Sequence, residues 1–329
     1  MTQEWTLVLL APAVLAAVVI AFLRRSRWSA RLADQPNERS LHSVPTPRIG
    51  GIGLVAGALP VAAFVAGDSL GIVLGCAAVL ALVSLWDDLR GLPIQVRLPA
   101  HVAAAAIAVL AVASPAPAHF DVGVVEAVLA VVTLVWMTNL FNFMDGSDGL
   151  AGGMAAIGFG ALALAACEAG SVPLALVAAA LASASIGFLA HNFPPARVFL
   201  GDAGSVPLGF LAGALGLYGV LTGVWALWFP FAVFSPFIAD ATVTLLRRIV
   251  RGERFWRAHR DHYYQRLVVA GWTRRRLALW SYALMAAAAA SALAAEAAGP
   301  GVRFGIILVW VALYALLFIA IERRVLRQA

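Results

Sequence analysis

Oxygen-bearing side chains recur in this chain at spacings that could hold a metal ion and a phosphate. Asp87 and Asp88 are adjacent, Asn142, Asp145 and Asp148 follow at three-residue intervals inside the glycine-rich stretch 139–153, and Asp202 lies in the turn Gly201-Asp202-Ala203-Gly204-Ser205. His259 and His262 stand among Arg257, Arg260 and Arg266. Carboxylate and amide oxygens are the hard ligands that Mg2+ prefers, glycine lets backbone come close to a ligand, and arginine clamps non-bridging phosphate oxygens. These are the residue types that metal-assisted phosphoryl chemistry on a pyrophosphate needs. If 142–148 is helical, Asn142, Asp145 and Asp148 share one face; the plainer alternative is a turn with capping aspartates. No acid follows at the EF-hand spacing, so the run is not a calcium loop. The two histidines lack a third soft ligand, and binding of a phosphorylated donor fits 253–266 better than a metal pair or an amphipathic anchor.

Each group sits at the edge of an apolar run. Asp87 and Asp88 end a helix, where the macrodipole disfavours anions, so a positive partner or a divalent cation is expected there. Arg48-Ile-Gly-Gly opens the next apolar run with its backbone amides available, and with Asn37, Arg39, His42, Ser43 and Thr46 nearby it reads either as an anion site or as a plain reentry turn. Asp202 precedes another helix start, as an N-cap or beside amides that bind phosphate. Phe199 either packs or stacks on a base. Asp240 lies within an apolar run and is expected to face the bundle interior.

The elements that must position these residues are membrane helices. The chain has 329 residues, 62% hydrophobic and 12% charged, against roughly 25% charged in soluble domains. About eleven apolar runs are long enough to span, at 5–23, 49–67, 70–86, 98–114, 123–140, 149–167, 172–190, 204–221, 223–246, 277–297 and 302–321, or ten if one of the short hinges near 68, 169 and 222 does not separate two spans. The expectation is an all-α polytopic transmembrane bundle, a single domain over 1–329, with active-site loops at 24–48, 87–97, 139–149, 191–204 and 247–276. Of 23 basic residues, all arginine, only Arg303 falls outside the alternate loops, which places those loops in the cytoplasm, the N-terminus outside and the C-terminus inside. The n-region before the first run has no basic residue, which argues against a cleaved signal peptide. Cys76 and Cys167 lie in apolar runs and read as small buried hydrophobes. With no internal repeat and helices apolar through their centres, an enzyme at the cytoplasmic interface with a lipid substrate is favoured over a transporter or flippase.

Four motifs in register extend this reading: Asp87-Asp88-x-x-Gly91-Leu92, Asn142-Phe-Met-Asp145-Gly-Ser-Asp148-Gly-Leu-Ala151, Val198-Phe-Leu-Gly-Asp202-Ala-Gly-Ser205 and His259-Arg-Asp-His-Tyr-Tyr-Gln-Arg-Leu267. In this order they resemble the polyprenyl-phosphate N-acetylhexosamine-1-phosphate transferases of glycosyltransferase family 4, over roughly the whole stretch from the first helix to the loop after 246. The resemblance implies transfer of an N-acetylaminosugar 1-phosphate from a UDP-sugar to undecaprenyl phosphate with release of UMP, an initiating step of O-antigen-like envelope polysaccharides. It implies Mg2+, replaceable by Mn2+, a bacterial inner-membrane location with the active site facing the cytoplasm, and no nucleic-acid partner; it leaves homodimerisation open. By carry-over, Asp87 and Asp88 bind or activate the lipid phosphate, and Asp202 holds the metal with Asp88 and Asn142. Asp145 and Asp148 shape the catalytic nucleotide and metal site, Asn192 and Phe199 match uracil-contacting positions, and Arg48, His259, Arg260, His262 and Arg266 bind the donor. The chain lacks the P-x-H-H-H pattern and first-loop lysine of the phospho-MurNAc-pentapeptide translocase, which the group resembles more distantly, and this argues against a MurNAc-pentapeptide substrate. A CDP-alcohol phosphotransferase is disfavoured, since Asp145-Gly146 is not followed by Ala-Arg.

Overall fold

The computed structural model describes residues 2–36, 44–113, 123–253 and 259–326. In chain order the elements are α1 (Thr2–Arg24), α2 (Arg27–Arg31), β1 (Ala33–Asp34), β2 (Thr46–Pro47), α3 (Gly50–Val65), α4 (Asp68–Arg90), α5 (Ile94–Ala113), α6 (Val124–Met144) and α7 (Leu150–Glu168). There follow α8 (Val172–Asn192), α9 (Asp202–Leu221), α10 (Trp228–Val233), α11 (Ser235–Val250), α12 (Tyr263–Val269), α13 (Arg274–Glu296) and α14 (Pro300–Leu326). The two short strands pair antiparallel, Asp34 opposite Thr46, and clip the first loop beneath α3. Among the described residues nine helices are long and apolar enough to cross a membrane.

Two of the eleven expected spans differ from one uninterrupted long helix. The run 49–67 forms α3, only 16 residues long, or about 24 Å of rise against a hydrocarbon core of about 30 Å. The run 223–246 is broken at Phe234 into α10 and α11. Pro236 has no N–H to give to Ala232, and the Ser235 hydroxyl donates to that carbonyl instead, at 2.7 Å. Tyr314 of α14 meets the same hydroxyl at 2.7 Å.

Helices α7, α8 and α9 form the buried centre, and α14 is almost bare on the outside. The central helices are rich in alanine and glycine, which let backbones approach where lipid offers no hydrophobic drive for association. Large apolar side chains such as Phe64, Leu82 and Leu110 cover the outer faces. Cys76 is buried as expected, but Cys167 is exposed on this outer surface, because it falls on the outward side of the last turn of α7. Polar contacts also knit the bundle: Pro12 interrupts α1, and Ser183 of α8 takes the Ala13 N–H (3.1 Å) while donating to the Leu9 carbonyl (2.8 Å). Its hydroxyl thereby bridges two groups that an undisturbed helix bonds directly.

Candidate active site

Alternation of the helices brings the ends of α4, α6, α8 and α11 and the starts of α3, α5, α7, α9 and α13 to one end of the bundle. Two helix starts there pack backbone on backbone. A Cβ on Gly51 would lie 2.3 Å from the Gly204 amide nitrogen, so the starts of α3 and α9 touch directly. The loop before α9 is stitched to α3: Phe199 N–H donates to the Pro47 carbonyl (2.9 Å), and the Gly50 and Gly51 amides donate to the Phe199 and Leu200 carbonyls (2.9 and 2.8 Å). The α3 amides expected to be free for an anion are therefore occupied. Arg48 alone points from that helix start into the site, onto Asp34 and to Asp88 at 3.5 Å. Asn37, Arg39, His42 and Ser43, expected beside it, lie outside the described residues.

Asp88, its side chain 1% exposed, accepts the Ala203 N–H at 3.1 Å. The Gly201 N–H meets the Asp145 carboxyl. Acids, rather than an open row of amides, thus occupy the α9 start, and its positive dipole end offsets their charge. Gly201 permits the approach: it adopts φ 72°, and a Cβ there would stand 3.0 Å from Asp88 Oδ2. Asp202 receives Asn142 Nδ2 at 3.3 Å and Arg97 Nη1 at 3.7 Å. Arg97 also holds Asp87 at 2.7 Å, so it bridges two of the expected acids. The positive partners that the end of α4 required are thus Arg97, Arg48 and the start of α9.

Asp145 is partly buried just beyond α6. Burial, then the nearby Asp202 and Asp88 carboxylates, hold its pKa well above the ordinary carboxylate range, against the pull of Arg48 and the Gly201 N–H. The segment 145–149 is a turn, not a helix, and Asp148 does not share a face with Asp145. It is buried, accepts the Ala196 N–H at 3.0 Å and pairs with Arg274 at 3.4 Å, tying α7 to the 193–197 loop and α13. Asn192 is likewise buried, with Oδ1 on the Gly149 amide and Nδ2 on the Val198 carbonyl, both at 2.8 Å. Phe199 is half-buried.

The 259–266 segment packs against the same wall. Tyr264 donates to the Phe143 carbonyl at 3.1 Å, and His262 stacks on the Phe143 ring with centroids 6.3 Å apart. His259 lies 5.0 Å from His262 between ring centroids, and burial, followed by the neighbouring His262 and Arg248 side chains, lowers its pKa to about 4. Arg260 is exposed on the loop. Arg266 faces away from the acids, with Nη1 on Glu322 of α14 at 2.8 Å.

The site thus gathers Asp87, Asp88, Asp145, Asp202, Asn142 and Arg48, with His259 and His262 against the Phe143 wall, and directs Asp148, Asn192 and Arg266 into other pairings. Motif spacing gives no role to Arg97, His101 or Asn139, which line a cavity of about 90 Å3 with Asp87, Asn142 and Asp202. His101 is buried with Nδ1 lacking a partner. The signal for Arg97 was present: only residues 91–93 separate α4 from α5, so the first turn of α5 must return beside the acid pair.

Comparison with known proteins covers this same framework. Residues 70–220, from α4 through α9, match the family described as Glycosyl transferase family 4. The chain is 31% identical over 316 residues to a phospho-N-acetylmuramoyl-pentapeptide-transferase of Moorella thermoacetica, covering 84% of this chain and 94% of the relative. It is 26% identical over 281 residues to a "Probable undecaprenyl-phosphate N-acetylglucosaminyl 1-phosphate transferase" of Bacillus subtilis, covering 80% and 77%. It is 29% identical over 294 residues to a decaprenyl-phosphate N-acetylglucosaminephosphotransferase of Mycobacterium leprae, covering 75% and 72%. Near full-length similarity to the first of these, and a match that spans the helices carrying Asp87, Asp88, Asn142, Asp145 and Asp202, make this chain a member of glycosyl transferase family 4.

Proposed function

We propose that the protein transfers an N-acetylaminosugar 1-phosphate from a UDP-sugar to a polyprenyl phosphate such as undecaprenyl phosphate, releasing UMP, at the cytoplasmic face of a bacterial inner membrane. The observation that carries this reading is the convergence of Asp88, Asp145 and Asp202, from three separate elements, with Arg48, Arg97 and Asn142 at the arginine-rich end of the bundle. An oxygen of the lipid phosphate attacks the sugar-bearing phosphorus. A new P–O bond forms there as the bond to the bridging oxygen breaks, and that oxygen leaves with UMP. Direct attack needs little basicity, since a phosphate monoester is already ionised near neutral pH. Asp87, held by Arg97 and by the Leu92 N–H, orients the guanidinium rather than acting free. The Arg97 and Arg48 guanidiniums, with their acids fixed behind them, bind and orient non-bridging oxygens.

The donor set fits Mg2+. Asp88, Asp145 and Asp202 crowd beside the Arg48 and Arg97 guanidiniums, and a hard divalent ion suits such a set of oxygen donors. Asp202, Asp88 and Asn142 would hold it, with Asp145 beside them. Among the described residues no three His, Cys, Asp or Glu side chains form a ready-made cage, in keeping with a cation whose coordination is completed by substrate phosphates and water. When bound, it neutralises the diphosphate and the departing UMP.

A lipid acceptor has room beside this site. A mainly apolar cavity of about 350 Å3 opens between α6, α9 and the α10–α11 break; its near end is at Met137, five residues before Asn142, and it runs past Leu134 and Phe231 to Glu126 and Leu221 toward the other end of the bundle. It suits part of a prenyl chain. The proposal extends to an initiating role in O-antigen-like polysaccharide synthesis, supported by the resemblance of the four motifs. The test is UMP release from purified protein with undecaprenyl phosphate, Mg2+ and a panel of UDP-N-acetylsugars. Release with at least one donor is expected, and none with any donor would sink the reading, as a flippase predicts.

A further inference from the structure

His101 stands on α5 one turn beyond Arg97, so the two side chains share a face of that helix. Both line the cavity of about 90 Å3 enclosed by α4, α5, α6 and α9. The histidine is 7% exposed, and its Nδ1 has no hydrogen-bond partner among the described residues. Arg97 Nε is likewise buried without a partner. Buried nitrogens are ordinarily bonded, so two left open on the wall of one cavity call for a group that fills it. No step of the reaction above uses His101.

The size and lining of the cavity say what that group is. About 90 Å3 amounts to roughly three water volumes, too little for a uracil or a hexosamine and enough for the head of a phosphate monoester. Arg97 and His101 supply donors. The two carboxylates on the wall, Asp87 and Asp202, each pair with Arg97, at 2.7 and 3.7 Å, which weakens their repulsion of an anion. The lining also includes Ile94 and Leu98 of α5 and Phe143 of α6, all of them exposed. They give a polar pocket an apolar rim on the outside of the bundle. A soluble phosphate has no use for such a rim, and a lipid phosphate does.

We propose that this cavity takes the phosphate head of the polyprenyl phosphate acceptor, and that His101 binds it, a ring N–H donating to a non-bridging phosphate oxygen beside Arg97. This rests on the transferase reading above and deepens it, by giving the acceptor phosphate a place of its own. The attacking oxygen then starts beside Asp202 and Asn142, the residues assigned to the cation. The assignment concerns the head alone, whichever apolar surface receives the rest of the chain. Because the contact is present in ground and transition states alike, its loss shows in the acceptor KM rather than in kcat.

Two measurements test it. In UMP release with purified full-length protein, undecaprenyl phosphate is varied in mixed micelles at saturating UDP-N-acetylsugar. His101→Leu, which removes both ring nitrogens, should raise the acceptor KM about tenfold, the size of one lost hydrogen bond to a charged group. The donor KM and kcat should stay within about twofold, and His101→Gln, which restores an N–H, should recover most of the loss. An unchanged acceptor KM in His101→Leu, or equal rises in both KM values, would overturn the assignment. The second measurement needs no donor. Farnesyl phosphate should raise the melting temperature of wild type and of His101→Gln more than that of His101→Leu, and inorganic phosphate or farnesol at the same concentration should act more weakly on wild type. Farnesol as effective as farnesyl phosphate would show that no phosphate is read here, and inorganic phosphate as effective would remove the lipid from the assignment. Wild-type protein inactive with every UDP-sugar, yet keeping the His101-dependent shift with farnesyl phosphate, would sink the transferase reading and leave the phosphate site standing.

Discussion

At Asp202 the carboxylate meets Asn142 Nδ2 at 3.3 Å and Arg97 Nη1 at 3.7 Å. These are long enough to loosen toward a bound cation or phosphate and close enough to hold the acid in place. Asp202→Asn keeps the volume and removes the charge. It should lower turnover by at least about a hundredfold, as should Asp88→Asn; near-normal turnover in the UMP-release assay would remove Asp202 from the metal site. His259 makes a different prediction. Burial, then the adjacent His262 and Arg248 side chains, lower its pKa from the ordinary 6.5 to about 4. The unfolded chain therefore takes up a proton at this residue as pH falls below 6.5 while the folded protein does not, and stability is lost progressively between pH 6.5 and 4. Thermal melting of His259→Gln should fall less between pH 7 and 5 than that of wild type; identical slopes would show that this histidine does not contribute.

The decisive packing at the level of elements is the contact of α3 with α9. Gly51 and Gly204 leave no room for a side chain on either helix, and that close approach sets the reach of Arg48 to Asp88. Gly51→Val should lower the melting temperature by the equivalent of about 1–3 kcal/mol of overpacking and reduce activity through displacement of Arg48. A variant that melts and turns over like wild type would show that the helix starts can separate freely. On the other flank, Arg266 and Arg247 both engage Glu322, fastening the otherwise lipid-exposed α14 to α11 and α12.

Over the whole molecule, chemistry is segregated by end. One end gathers the acid cluster, the 259–266 segment and nearly all the arginines. At the other, Glu296 accepts the Ala226 N–H at 2.9 Å and Arg303 donates to the Glu296 carbonyl at 2.7 Å, closing helix ends. The arginine-rich end should face the cytoplasm. A tag following Ala329 should therefore resist periplasmic protease and be cleaved only after the inner membrane is opened; cleavage in intact spheroplasts would reverse the assigned orientation.

The sequence by itself determined the membrane bundle, the crowding of arginine at alternate loops, and the set of residues able to do phosphoryl chemistry, because hydropathy, charge and residue type are local properties of the chain. It also supplied the order of four motifs that marks the family. The length of α3 and the break at Phe234 were written in the chain as Pro and Gly, yet each run read as one apolar stretch because hydropathy does not register a missing N–H. Only tertiary structure decided which acids meet. Asp88, Asp145 and Asp202 converge because Gly201 and the α3–α9 contact bring three distant elements together. Asp148, three residues from Asp145, turns instead to Ala196 and Arg274. The direction of a side chain at a turn depends on what packs against it, and that partner can lie anywhere in the chain.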